Sequence, residues 1–124
     1  MAAIGPAPAL DAVEWQPQPN GMKTWDVTVG TGTPVPAGAT VTIHYTGWLT
    51  SGTVFDSSKT SGKPITFPLA RLIKGWQEGV PGMKPGGVRR LLLPYQLAYG
   101  EAGMPPTIPP KATLVFEIEM ISSK

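Results

Sequence analysis

Cysteine is absent from the sequence, and with it go disulfides, thiol nucleophiles and cysteine metal sites. The absence leaves the compartment open, because cysteine-free chains live in reducing and oxidising surroundings alike. Histidine occurs once, at His44, on the polar side of an alternating segment. A nucleophilic triad or a metal centre ordinarily needs more, so His44 reads as an exposed strand residue. Charge is sparse: 10 basic and 8 acidic residues give a net +2, and Arg89-Arg90 is the only adjacent basic pair. That is too thin for a nucleic-acid footprint. Long apolar runs are missing too, and an apolar fraction of 41% suits one core and no membrane span. There is no Gly-x-Ser-x-Gly elbow, Walker loop or dinucleotide fingerprint, and Gly30 and Gly32 read as a turn. No metal, cofactor, nucleic-acid or membrane partner is therefore expected. The N-terminus has neither a basic start nor seven consecutive apolar residues, so it does not read as a secretory signal. A cytoplasmic monomer is expected, or a periplasmic or secreted one had a signal been removed.

Glycine and proline are abundant instead, 15 of each in 124 residues, and they are spread along the chain. Spread turn residues imply short strands joined by turns within one domain. Residues 1–20 hold four prolines and little hydrophobic rhythm, and read as a tail or linker in which Trp15 docks on the domain surface. Residues 21–124 form the domain. In "KTWDVTVG", Trp25, Val27 and Val29 alternate with polar residues as in a half-buried strand. In "TVTIHYTGWL", Val41, Ile43 and Tyr45 take one face and Thr42, His44 and Thr46 the other, with a strand break at Thr46-Gly47. "VFDSS", "ITFPL" and "VRRLLLP" are shorter strands, and "TLVFEIEMI" closes the set with Leu114, Phe116, Ile118 and Met120 on one side. Leu69, Leu72, Ile73, Trp76 and Val80 carry a helical spacing from about residue 69. Five or six strands without intervening long helices point to an α+β fold, an antiparallel sheet covered by one short helix.

Acid–base and nucleophilic chemistry are poorly supplied. Glu117 and Glu119 read as a solvated sheet face. Ser57-Ser58 beside Asp56 has no base near in sequence, and an Asp-Ser turn explains it. What stands out is aromatic: Tyr45, Phe55, Phe67, Trp76, Tyr99 and Phe116 come from different elements, several beside turns and loops. Trp76 lies between Gly75 and Gly79 in a segment with room for about two helical turns. A shared core is one reading, and an apolar cavity with a few polar groups the other.

The stretches "VTIHYTGWLTSGTVFDSS", "LIKGWQEGVPGMKPGG" and "LAYGEAGMPPTIPPKATLVFEIEMI" closely resemble the FKBP-type peptidyl-prolyl cis–trans isomerases, the macrolide-binding family. The likeness runs from about Gly21 to Ile121 and is that of the single-domain form. It implies a five-stranded antiparallel sheet wrapped around one short helix, with the site between them. It also implies a helix starting nearer Ile73 than Leu69, which would leave the Ile73 N–H free for a ligand carbonyl. Carried over position by position, Asp56, Tyr99, Trp76 and Phe55 would be catalytic, with Trp76 the floor under a proline ring. Tyr45, Phe67, Leu72, Ile73, Ile108 and Phe116 would bind substrate. Met104, Ile65, Thr107 and Ser61 depart from what many members carry, all at the rim.

The resemblance implies accelerated rotation about Xaa-Pro bonds in polypeptides, assisting folding, with macrolides as possible inhibitors. A binding or chaperone module of the same fold is the alternative, in which turnover is incidental. Recognition of extended proline-rich peptides, or of the chain's own "WQPQP", is a further reading.

Overall fold

The alternation of "TVTIHYTGWL" is realised in one long strand at the centre of the sheet. In a computed structural model, which describes residues 6–124, this strand is β3 (Thr40–Leu49). The others are β1 (Gln16–Pro17), β2 (Lys23–Thr28), β4 (Val54–Ser57), β5 (Ile65–Pro68), β6 (Val88–Leu93) and β7 (Leu114–Ser123), with one helix, α1 (Lys74–Gly79). All pairings are antiparallel, in the order β1-β2-β6-β7-β3-β4, with β5 also on β3. The strand count is seven where five were expected. The difference lies at the edges. β4 pairs with Thr46–Trp48 and β5 with Thr40–Ile43, so they share one edge of β3 as a single interrupted strand. β1 adds a two-residue rim to β2.

Alternation sorts the strand residues onto two faces. Val41, Ile43, Leu91, Leu93, Leu114, Ile118 and Met120 form the buried face under α1, where they meet Leu69, Trp76 and Val80. The helix comes close because it has no side chains in the way. A Cβ on Gly75 would lie 2.4 Å from Leu93 Cδ1, and one on Gly79 2.8 Å from Leu91 Cδ2. α1 is short for a local reason: Leu72 is extended (φ −99, ψ 171) and separates the 3-10 turn at Leu69–Arg71 from the helix. The helical spacing from 69 therefore spans two elements, and the later start, with Ile73 as N-cap, is the one observed. At the other end, Arg89 Nη1 donates to Gly79 O at 2.8 Å, a cation on a carbonyl of the last turn.

The opposite face has its own apolar cluster: Trp15, Trp48 and Val115, with Ala7, Ala12, Trp25 and Leu92 around them. Trp15 docks, 6% exposed, with its indole N–H donating to Ala9 O at 2.8 Å and its ring edge-on to Trp25 at 5.4 Å. Residues 1–5 of the segment read as a tail lie outside the described residues. Arg90 stacks 4.4 Å above the Trp25 ring and donates to Glu117 at 2.9 Å, with Lys59 3.8 Å from the same carboxylate. Glu117 is thus paired and not simply solvated. β2 departs from its pattern: Val27 is 45% exposed and Val29 70%. The register shifts between Asp26 and Thr28 and the strand ends there, so alternation fails just where those valines would turn inward.

Candidate active site

Strand neighbours point to opposite faces, yet Phe55 and Asp56 line the same cavity. The register explains it. Gly47 pairs with Asp56 and Trp48 with Val54, so Phe55 is the extra residue of a β-bulge. A bulge re-aims the side chains around it. Tyr45 comes from β3, Phe67 from β5, Trp76 from α1 and Phe116 from β7, while Leu72 and Ile73 lead into the helix and Tyr99 sits in the loop after β6. These nine residues enclose a cavity of about 200 Å³ between helix and sheet. Ile108 is not in its wall. It is buried beneath an adjoining hollow of about 230 Å³, which shares Phe55, Asp56 and Tyr99 with the first and is rimmed by Met104, Pro105 and Thr107.

The aromatic rings meet edge to face. Trp76 is 5.3 Å from Tyr45 and 5.2 Å from Phe116, Phe55 is 5.6 Å from Phe116, and Tyr45 is 6.3 Å from Phe67. Such contacts favour ordered rings over a fluid apolar lining. Trp76 is buried, and its Nε1 has no hydrogen-bond partner among the described residues.

Four polar groups face this lining. The Tyr45 hydroxyl donates to Asp56 Oδ2 at 2.6 Å, and no ion pair to Asp56 occurs among the described residues. Ser61 is exposed, donates to Ser58 O at 3.0 Å and lies outside the lining of the cavity and of the adjoining hollow, so it supplies no cation to Asp56. The Tyr99 hydroxyl and the Ile73 N–H have no hydrogen-bond partner among the described residues, so both donors are available. Burial, with the Asp56 bond and charge next, holds the Tyr45 phenol well above its ordinary 10.0, and burial followed by the Asp56 charge raises Tyr99. Both stay protonated donors at neutral pH. A pKa raised on folding adds stability that is complete below the unfolded value and lost as pH rises through the folded one. Turnover is therefore expected to show no tyrosine-dependent change between roughly pH 6 and 9, with the two tyrosines' contribution to urea stability declining above about pH 10.

His44 lies outside the cavity, half-buried, with Nδ1 3.0 Å from Ser58 Oγ. A base does therefore adjoin this serine in space. Ser58 is 3% exposed, however, and its hydroxyl accepts the Tyr45 N–H at 2.8 Å, which makes it a brace for β3. Thr46-Gly47 is not a strand break, since β3 continues to Leu49. Neither the bulge nor the role of Gly47 is legible in the sequence, because strand periodicity carries no mark of an inserted residue.

A family model described as FKBP-type peptidyl-prolyl cis-trans isomerase matches residues 32–121. The chain belongs to that family. This FKBP domain is 46% identical over 103 residues to the FK506-binding protein of Neisseria meningitidis serogroup B, covering 82% of this chain and 94% of that one. It is 48% identical over 108 residues to FK506-binding protein 4 of Rhizopus delemar, covering 86% of this chain but 28% of that protein. The crystal structure of FkpA from Escherichia coli superposes with a TM-score of 0.86 at 38% identity, over 92% of this chain and 53% of FkpA. The FKBP unit thus makes up nearly all of one relative and a fraction of longer ones. No helix among the described residues is long and apolar enough to cross a membrane.

Proposed function

We propose that this FKBP domain accelerates rotation about Xaa-Pro bonds of polypeptides in the cavity between α1 and the sheet. The observation that supports it best is the convergence of six aromatic residues, with the Tyr99 hydroxyl and the Ile73 N–H as free donors, on a space the size of a proline ring and its neighbours. An Xaa-Pro bond turns over in tens to hundreds of seconds unaided, against a barrier of about 18–20 kcal/mol set by amide resonance. Lowering it by about 5.5 kcal/mol gives roughly ten-thousand-fold acceleration. A twisted amide has less charge separation than a planar one, so an apolar cavity penalises it less. Tyr45, Phe55, Trp76 and Phe116 supply that surrounding. The Tyr99 hydroxyl and the Ile73 N–H hold substrate carbonyls on either side of the turning bond, and Asp56 fixes Tyr45 and shapes the local field. No bond is made or broken, so no nucleophile is called on.

One chain suffices as the working unit in this reading, since it supplies an aromatic lining and two free donors by itself. The macrolide for which the relatives are named is expected to compete for the same cavity, against a rim altered by Met104, 52% exposed. The test is the cis-to-trans relaxation of a short Leu-Pro peptide with and without the protein, repeated with Tyr99→Phe and with FK506. Strong acceleration is expected, lowered about threefold to tenfold by Tyr99→Phe through loss of one hydrogen bond, and suppressed by the macrolide. A folded sample that leaves the relaxation unchanged would sink the reading.

A further inference from the structure

Gly47 carries no side chain at the place where two walls of the cavity meet. A Cβ there would lie 2.5 Å from Phe55 Cζ and 2.9 Å from Phe116 Cε1, closer than carbon atoms approach without displacement. The backbone itself makes no demand for glycine. Gly47 sits inside β3, paired with Phe116 on one side and Asp56 on the other, and is not among the residues of positive φ. The requirement is one of space on the helix face alone. The bulge in β4 is what fills that space, by laying Phe55 over the bare strand. Phe55 then meets Phe116 edge-on at 83°, and Phe116 meets Trp76 at 90°. A methyl group at 47 would push on both phenyl rings, and through Phe116 on the indole floor.

We propose that Gly47 is a positioning residue for proline isomerisation: its missing side chain lets Phe55 close against Phe116, and Phe116 against Trp76, and so sets the width of the cavity. The proposal rests on the isomerase reading of that cavity. It predicts coupling between position 47 and Phe55. Leucine at 55 has no atom where Phe55 places Cζ, so most of the clash disappears in that background.

The experiment compares the full chain with Gly47→Ala, Phe55→Leu and the double variant. It reads kcat/KM on a Leu-Pro peptide together with the NMR ring resonances of Phe116 and Trp76. Gly47→Ala is expected to lower kcat/KM about tenfold or more, as misplacements of the order of 1 Å do, and to move both sets of resonances. In the Phe55→Leu background the same change is expected to cost less than about threefold, a non-additivity that a general loss of stability does not produce. Equal penalties in the two backgrounds, or Gly47→Ala with unmoved resonances and kcat/KM within about twofold of the parent, would overturn the proposal. Should Gly47→Ala fail to fold, the double variant against Phe55→Leu decides: near equality supports the proposal and a tenfold gap rejects it. A parent chain without turnover would refute the isomerase reading, and the resonances would then decide the ring placement by themselves.

Discussion

Replacing Trp76 with leucine is expected to lower kcat/KM for a Leu-Pro peptide by about a hundredfold, or about 2.7 kcal/mol of transition-state stabilisation. The indole is 4% exposed and contacts the rings of Tyr45 and Phe116. Its helix neighbours Gly75 and Gly79 have no side chains that could take its place. Leucine keeps the helix apolar but leaves the floor too narrow and too low for a proline ring. Truncation to alanine would add a cavity cost of about 3–5 kcal/mol to the loss of function and confuse the two. Leucine keeps them apart. Relaxation kinetics give the activity and urea unfolding the stability. A folded Trp76→Leu protein with activity within threefold of the parent would mean that proline does not rest on this residue.

The second large effect is on stability. Trp15→Ala is expected to cost about 3 kcal/mol in urea unfolding, the usual scale for truncating a buried Trp. Trp15 covers Trp48 and Val115 on the sheet face opposite α1, and Trp25 with its stacked Arg90 leans on it. Because the cavity opens on the other face, kcat/KM is expected to stay within about twofold. A loss below about 0.5 kcal/mol would show that the segment around Trp15 rests on the sheet without stabilising it.

How far the sequence reveals this architecture depends on how regular each segment is. β3 and β7 pair in one register from Ile43 to Leu49, with a shift only between Thr42 and Ile43, and over that stretch their faces are readable residue by residue. β2 misleads at Val27 and Val29 because a register shift leaves no trace in hydropathy. The α1 region shows the opposite problem. A regular spacing from Leu69 to Val80 conceals an extended residue at Leu72, and resemblance, not periodicity, locates the helix start. At the site, Tyr45, Trp76 and Phe116 are recognisable as aromatics on inward faces. Phe55 beside Asp56 makes sense only once the bulge is known, and Gly47 only once both phenyl rings are placed over it. Ile108 marks a further limit. Long-loop residues have no periodicity, and this one packs under the adjoining hollow. Trp15 can be expected to dock, but the partners that bury it lie far along the chain.

The most direct measurement is two-dimensional NMR exchange spectroscopy of a Leu-Pro peptide at equilibrium with a small amount of protein, combined with the protein's amide shifts on titration. Cis–trans cross-peaks are expected to appear on the protein's addition, with shift changes concentrated at Tyr45, Asp56, Ile73, Trp76 and Tyr99. Cross-peaks accompanied by shifts elsewhere, or binding at these residues with no exchange, would contradict the assignment of isomerisation to the cavity under α1.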